Sequence, residues 1–220
     1  MRILLVDDHQ IFRDGLMSCL SENAGYEIIG QADNGRDAIT AAESLGPDLI
    51  IMDIALPVLN GVDAAREILS GTLWPKPKLV ALSSYSDPEF VTEVLRVGAS
   101  GYILKNAAFD ELINAINTVM AGKIYLSPEI AGVVVNMHVR DEQPGPISDQ
   151  GVLISLSKRE REVVQLLAEG NDAKAIAARY DLSPKTVHAM RNRIMAKLDI
   201  HSVAELTKYA IRVGLTSLES

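Results

Sequence analysis

Short apolar segments alternate with longer amphipathic segments along the first 120 residues of the chain. The short ones have the length of strands and are rich in Ile, Leu and Val; they cover residues 3–6, 27–30, 49–52, 79–82 and 101–104. The amphipathic ones have the length of helices; they cover residues 11–20, 36–44, 61–69, 89–97 and 109–120. Because parallel strands need crossover connections, this alternation predicts a five-stranded parallel sheet with helices on both faces, an α/β doubly wound fold.

The pattern changes after residue 121. Residues 122–152 are predicted to be a linker, since 141–146 read Asp-Glu-Gln-Pro-Gly-Pro, although the apolar stretch 130–139 is expected to form a short helix against the first domain. Beyond it the spacing predicts an all-α unit of four helices, over 158–169, 173–180, 184–197 and 203–213. The predicted domains are therefore 1–121 and 153–220.

Charge divides the chain in the same place. The 220 residues carry a net charge of −8, which argues against a nucleic-acid partner if the charge is spread evenly. Residues 153–220, however, hold 11 Lys and Arg against 8 Asp and Glu, a net +3, and the remainder holds 10 against 21, a net −11. Because of this asymmetry, the second domain carries a net positive charge and could bind the phosphates of a nucleic acid.

Composition excludes several other classes. Apolar runs do not reach the length of about 20 residues that spans a bilayer, and Asp7 and Asp8 interrupt the apolar start before a signal peptide could develop. Cys19 is the single cysteine, so neither a disulfide framework nor a cysteine-based metal site is expected. We expect a cytoplasmic protein.

Five polar residues directly follow predicted strands. Asp7 and Asp8 end the first strand, Asp53 the third, Ser83 the fourth and Lys105 the fifth. Each alone could be an ordinary turn or surface residue, but the carboxyl ends of parallel strands line one crevice. Three carboxylates there would repel one another unless a hard cation such as Mg²⁺ lay between them. The set favours a phosphoacceptor site, with Asp53 as nucleophile, Lys105 neutralising phosphoryl oxygens and Ser83 donating a hydrogen bond to one of them.

These residues carry a family resemblance. Val6-Asp7-Asp8-His9, Met52-Asp53-Ile54-Ala55-Leu56-Pro57, Asn60-Gly61, Leu82-Ser83 and Lys105 resemble the motifs of the receiver domain of two-component response regulators. The resemblance implies a flavodoxin-like fold and phosphorylation of Asp53 by a sensor histidine kinase. It also implies that Asp8, Asp53 and the backbone carbonyl of Ala55 bind Mg²⁺, with Asp7 assisting through a water.

The resemblance further assigns a switch pair. Ser83 is expected to turn toward the phosphoryl group, and Tyr102 to rotate into the space released; the alternative for Tyr102 is an aromatic side chain packed at a strand end. Asn106 departs from the family, in which many receivers have a cis proline after the lysine.

The second domain contains a predicted helix-turn-helix. Ser157 and Glu160 form the pattern of a capping box, and Ser183-Pro184 suits the start of a further helix after a short turn. A tight helix pair of this kind places its second helix in the major groove of DNA. Eight residues of that helix are predicted to contact double-stranded DNA, some at phosphates and some at base edges. They are Lys185, Thr186, His188, Ala189, Arg191, Asn192, Arg193 and Lys197.

This second domain resembles the LuxR-type domain through Leu156-Ser157-Lys158-Arg159-Glu160, Ile176-Ala177, Ser183-Pro184-Lys185-Thr186-Val187 and Lys197-Leu198. Together the two domains are similar to the NarL/FixJ family of response regulators. The resemblance implies that phosphorylation controls homodimerisation, and that the last helix is the usual dimer contact. Val203, Leu206 and Ala210 share one side of that helix, and they either form that contact or belong to the domain's own core.

Two other functions were weighed. A phosphatase with an aspartate nucleophile typically needs a second acid two residues later, where this chain has Ala55. A receiver that has lost phosphorylation and acts as a constitutive DNA-binding scaffold would not need all five strand-end residues. We expect no enzymatic activity beyond slow self-phosphorylation and autodephosphorylation. In the resting chain the second domain either docks on the first, hiding the DNA-reading helix, or hangs free on the linker.

Overall fold

The computed structural model describes residues 1–73, 75–84, 86, 88–140 and 156–216. Strands and helices alternate through its first domain (residues 1–140). In chain order they are β1 (Arg2–Val6), α1 (Gln10–Ser21), β2 (Glu27–Ala32), α2 (Gly35–Leu45), β3 (Leu49–Asp53), α3 (Gly61–Ser70), β4 (Lys78–Ser83), α4 (Pro88–Arg96), β5 (Gly101–Leu104), α5 (Phe109–Met120), β6 (Tyr125–Leu126) and α6 (Pro128–Arg140). Among the described residues, none of the helices combines the length and apolar character needed to cross a membrane.

The strands form one parallel sheet in the order β2-β1-β3-β4-β5-β6. The predicted parallel, doubly wound fold is confirmed, but the expected number of five strands was one too low. β6 has two residues, Tyr125 and Leu126, which pair with Gly101 and Tyr102 of β5. A segment this short has no alternating pattern, so the sequence did not reveal it.

Alternate residues of the strands point to opposite faces of the sheet, as the pleat requires. Ile3 and Leu5 of β1 belong to the core covered by α1 and α5. Leu4 and Val6 belong to the core covered by α2, α3 and α4. Because both faces are covered, β1, β3, β4 and β5 contain continuous apolar runs rather than residues that alternate in polarity.

Part of the predicted linker belongs to the first domain. The helix expected over 130–139 is present as α6, which packs against α4 and buries Ile130 completely. β6 also falls in this segment. Residues 122–140 therefore extend the sheet and its helical cover, whereas the Pro-Gly-Pro stretch at 141–146 lies outside the described residues.

The second domain (residues 156–216) has the four predicted helices around an apolar core. They are α7 (Lys158–Ala168), α8 (Ala173–Arg179), α9 (Pro184–Lys197) and α10 (Val203–Arg212). Each begins after a residue whose side chain accepts a hydrogen bond from a backbone N–H of the first turn; these are Ser157, Asp172, Ser183 and Ser202. Ser157 and Glu160 form the predicted capping box. Local sequence thus determines where these helices begin.

The two domains are packed together through α7 and the N-terminal end of α3. The guanidinium of Arg161 binds the Asp63 carboxylate at two points, with Nε 3.1 Å from Oδ2 and Nη2 2.6 Å from Oδ1. Burial would raise the pKa of Asp63, but the hydrogen bonds and charge of Arg161 outweigh it and lower that pKa. Of the two resting arrangements, the structure has the docked one.

Gly61, the first residue of α3, lies where a side chain cannot fit. A Cβ at this position would be 2.3 Å from the backbone oxygen of Asp53 and 2.8 Å from the Cα of Ile54. Its N–H donates to the Ile54 carbonyl at 2.8 Å, which closes the loop that follows β3. The close approach of two backbone segments therefore requires glycine here.

We predict that Gly61→Ala lowers the free energy of unfolding by about 1–3 kcal/mol, because the backbone must move to admit a methyl group. Gly15→Ala is the matched control: Gly15 is in α1, and a Cβ there would have nothing within 4 Å. The control should gain about 0.5–1 kcal/mol from removing a helical glycine. Urea denaturation measures both, and equal stability of the two variants would contradict the prediction.

Candidate metal centre and nucleic-acid interface

Three carboxylates lie together at the carboxyl-terminal edge of the sheet. Asp7 and Asp8 follow β1, and Asp53 is the last residue of β3, the neighbouring strand. One ligand atom from each of them, and one from His9, all lie within 4.8 Å of one another. The fold therefore brings together the acidic residues that the sequence placed after separate strands.

Lys105, which follows β5, bridges two of these carboxylates. Its Nζ is 2.7 Å from Oδ2 of Asp7 and 2.7 Å from Oδ2 of Asp53. Burial raises the pKa of Asp53, Lys105 acts to lower it, and the neighbouring Asp7 adds to the rise. Burial would lower the pKa of Lys105, but the two carboxylates outweigh it and the pKa is raised. The ammonium group therefore stays charged and partly neutralises the acidic cluster.

The donor set fits a hard divalent cation. Asp7, Asp8 and Asp53 offer carboxylate oxygens, the ligand type that Mg²⁺ prefers, and Mg²⁺ usually keeps several waters. The Asp7 and Asp53 side chains are almost inaccessible, whereas that of Asp8 is 14% exposed, so the cluster opens to solvent on the Asp8 side. The backbone N–H of Ala55 donates to Oδ1 of Asp53 at 3.0 Å, which places Ala55 beside the cluster. A metal role for its carbonyl stays a prediction.

The predicted switch residues occupy neighbouring strands. Ser83 ends β4 and is 1% exposed, and its carbonyl accepts the N–H of Lys105 at 2.8 Å. Tyr102 of β5 is completely buried in the core between the sheet and α2, α3 and α4. This position agrees with a packed aromatic side chain and also with the inward position of the expected switch. The rotation of Tyr102 stays a prediction.

Two residues of this site had no role assigned from the sequence. His9 Nδ1 lies 2.8 Å from Oδ1 of Asp8, and the His9 backbone N–H donates to Oδ1 of Asp7 at 2.9 Å. Arg13 donates to the Asp7 carbonyl. The available signal for His9 was its position next to Asp8. Arg13 could be found only once α1 was known to begin at Gln10, which puts it on the first turn.

α9 presents the side chains assigned to DNA. Val187 and Ile194 are buried and anchor the helix in the second domain. The assigned residues that are exposed in the docked arrangement are Lys185, Thr186, His188, Ala189, Asn192, Arg193 and Lys197. Docking therefore does not hide this helix, contrary to the docked alternative considered from the sequence. The reason is that α7 faces the first domain, and α9 lies elsewhere in the second domain.

Several of the side chains assigned to DNA have partners within the second domain. Lys197 Nζ binds both carboxylate oxygens of Glu160, at 2.8 and 2.9 Å. Arg191 is half-buried, and its Nη2 donates to Oδ1 of Asn192 at 3.4 Å. A phosphate bound by Lys197 would compete with Glu160.

The apolar residues of α10 that were considered as a dimer contact lie mainly in the core of the second domain. Leu206 and Ala210 are completely buried in the second domain, whereas Val203 is 42% exposed. The alternative of burial in the domain's own core is therefore correct for two of the three residues. Spacing could not separate the two cases, because both need apolar residues on one side of the helix.

Both domains match known families. Residues 3–117 match the response regulator receiver domain, and residues 154–210 match the bacterial regulatory proteins of the luxR family. The response regulator GacA of Pseudomonas aeruginosa is 34% identical over 220 residues, covering 100% of both chains. The response regulator UvrY of Escherichia coli is 32% identical over 220 residues, covering 100% of this chain and 98% of that protein.

A solved structure supports the fold. RcsB from Salmonella enterica serovar Typhimurium, bound to a promoter in the presence of phosphomimetic BeF₃⁻, has a TM-score of 0.60 and 22% identity. The match covers 97% of this chain and 98% of that chain. At this identity the likeness establishes the fold.

We predict that Lys105→Met lowers the free energy of unfolding, measured without divalent cations, by on the order of 3 kcal/mol. The substitution leaves two buried carboxylates facing each other without their shared cation. Mg²⁺ should restore part of the loss, since it would neutralise the same oxygens. Lys123→Met, the same change at an exposed lysine, should stay within about 0.5 kcal/mol of the unsubstituted chain. A Lys105→Met protein as stable as this control would show that the bridge contributes little.

Proposed function

This chain belongs to the two-component response regulators that join a receiver domain to a LuxR-type DNA-binding domain, and we propose that phosphorylation of Asp53 controls its binding to DNA. The observation that carries the proposal is the convergence of Asp7, Asp8 and Asp53 at one sheet edge, with Lys105 between two of them. The first domain is the receiver domain, and the second is the DNA-binding domain.

The proposed reaction is a phosphoryl transfer from a histidine of a sensor kinase. An oxygen of the Asp53 carboxylate attacks phosphorus as the P–N bond breaks, and the imidazole nitrogen keeps the electron pair. Lys105 favours the anionic form of Asp53 and neutralises phosphoryl oxygens, and the Ser83 hydroxyl donates to one of them. Mg²⁺, held by Asp8, Asp53 and the Ala55 carbonyl with Asp7 assisting through a water, would add positive charge at these oxygens.

The surroundings of Asp53 suit a protein donor. α1 begins two residues after Asp8, and its Ile11 side chain is 89% exposed beside the acidic cluster. An exposed apolar side chain at this place can pack against a partner helix that carries the phosphohistidine. We propose that the chain is an acceptor rather than an enzyme, with at most slow self-phosphorylation and autodephosphorylation. The cytoplasmic location expected from the sequence stays a prediction.

We propose that α9 reads double-stranded DNA in the major groove and that phosphorylation promotes a homodimer. Its basic, exposed side and capped start support the first part, and RcsB provides an example of a protein of this fold bound to a promoter. Residues 153–220 carry a net charge of only +3, so a single copy should bind DNA weakly. In a dimer, once one DNA-binding domain is bound, the other is held near the DNA at a high effective concentration. The dimer therefore binds DNA more tightly than a single copy.

We predict that a small phosphodonor with Mg²⁺ adds one phosphate to the chain and none to Asp53→Asn, because the amide is not a nucleophile for phosphorus. Intact-mass spectrometry measures the phosphate, and light scattering measures the dimer in the same samples. Retention of the phosphate mass by Asp53→Asn would refute the assignment of Asp53. A phosphorylated chain that stays monomeric would refute dimerisation.

We predict different effects for Asn192→Ala and Lys185→Ala. Asn192→Ala should relax preference at one base pair, by about 1–3 kcal/mol, because Asn can bind adenine at two points. Lys185→Ala should weaken binding to all sequences alike and reduce the salt slope by about one. Selection from random DNA and titration at several salt concentrations distinguish the two. An unchanged preferred site in Asn192→Ala would remove Asn192 from base recognition.

A further inference from the structure

The loop after Asp53 contains a strained turn. We name residues 54–60 the phosphoacceptor loop, since they connect Asp53 to α3. Within it Val58 has a φ of 71°, and the Leu59 N–H donates across it to the Pro57 carbonyl at 2.7 Å, which makes a γ-turn. A β-branched residue strongly disfavours this conformation. Such a turn persists only where its surroundings hold it.

The DNA-binding domain supplies a large part of those surroundings. Gln165 of α7 donates from Nε2 to the Leu56 carbonyl at 2.7 Å and accepts the Asn60 N–H on Oε1 at 3.0 Å. Glu169, one turn later, accepts the Val58 N–H at 3.3 Å. Three alternate residues of the phosphoacceptor loop are therefore held through their backbone by two side chains of the other domain.

These contacts are buried and mutually supported. Gln165 is completely buried, and its Nε2 also donates to Oε1 of Glu169 at 2.8 Å. A buried polar side chain with its donors and acceptors paired holds its partners firmly. Because backbone groups are the partners, these contacts do not depend on the identity of the loop's side chains.

The other end of the same loop is part of the phosphorylation site. Ala55 N–H donates to Oδ1 of Asp53, and Gly61 N–H closes the loop on the Ile54 carbonyl. We propose that Gln165, with Glu169, is a positioning residue for phosphorylation of Asp53: docking of α7 holds the phosphoacceptor loop in the conformation that orients Ala55 and Asp53. This inference rests on the proposed function.

The direction of the effect follows from the geometry. In the docked arrangement the acidic ligand atoms already converge, and Asp53 already accepts the Ala55 N–H. Removing the contacts to Leu56 and Asn60 would let the strained turn relax. The site would then have to be reordered before each transfer, so phosphorylation would slow.

The first measurement does not depend on phosphorylation. Hydrogen–deuterium exchange of the full chain, without donor, follows the amides of residues 54–60. Gln165→Leu, which roughly keeps the volume of the side chain but loses both of its hydrogen bonds to the loop, should raise exchange in this segment about fivefold, the equivalent of one buried hydrogen bond. Glu169→Ala, a milder change at the edge of the interface, should raise exchange at Val58.

The second measurement is the rate of phosphate uptake from a small phosphodonor with Mg²⁺, by intact mass. Gln165→Leu should slow it about fivefold, with circular dichroism confirming that the chain is folded. Lys158→Ala is the matched control: it lies on the same helix and contacts Glu67 of the receiver, but no backbone group of the loop. It should stay within about twofold of the unsubstituted chain in both measurements.

Higher exchange together with slower uptake in Gln165→Leu, but not in Lys158→Ala, supports the proposal. Unchanged exchange, unchanged uptake or faster uptake in Gln165→Leu overturns it, as does an equal effect of Lys158→Ala. If the unsubstituted chain takes up no phosphate, the proposed function itself fails. If it takes up phosphate at the same rate as Gln165→Leu, only the positioning role fails.

Discussion

The arrangement of the receiver depends on one electrostatic constraint: several carboxylates end at the same edge of a parallel sheet. Asp7 and Asp53 are almost completely buried, so bulk water solvates neither carboxylate well. Lys105 reaches both at 2.7 Å and supplies a positive charge between the ends of the neighbouring strands β1 and β3. The same negative potential would favour a divalent cation at this edge, and the charge of that cation would in turn favour an anionic phosphoryl group.

A second buried charge pair joins the domains. Arg161 and Asp63 are both nearly inaccessible, and removing one partner of such a pair costs about 3–5 kcal/mol. Glu162, also buried, accepts from Tyr180 at 2.7 Å and from Arg36 of the receiver at 3.1 Å. The exposed Lys158–Glu67 pair adds little by comparison. Docking therefore rests on the buried side of α7, which leaves α9 exposed.

The sequence predicted the convergence of the strand-end residues because its signals are local. Asp53 and Lys105 directly follow buried apolar strands, and parallel strands end at one edge whatever the details of packing. The helix starts of the DNA-binding domain were equally local, as Ser183-Pro184 shows. Arg161 and Gln165 gave no such signal, since polar residues on a helix are usually exposed and their partners lie 98 and 105 residues away. Leu206 was ambiguous because core and dimer surfaces share one pattern.

The strength of the energetic coupling between the phosphoacceptor site and the domain interface depends on the residues that belong to both. Asn60 is the common element: its N–H binds Gln165, its side chain caps α3 and donates to Asp63, and Asp63 holds Arg161. A phosphoryl group can shift docking only by changing these contacts.

A few hydrogen bonds of about 1 kcal/mol each give a coupling free energy of roughly 1–3 kcal/mol, or about 5- to 150-fold in the docking equilibrium. Reversing an equilibrium from 1:99 to 99:1 needs about 5.5 kcal/mol. If Asp53 is phosphorylated as proposed, phosphorylation acting through Asn60 would therefore adjust the population of docked chains in a graded way, and a full switch would require a further contribution such as the proposed dimerisation on DNA.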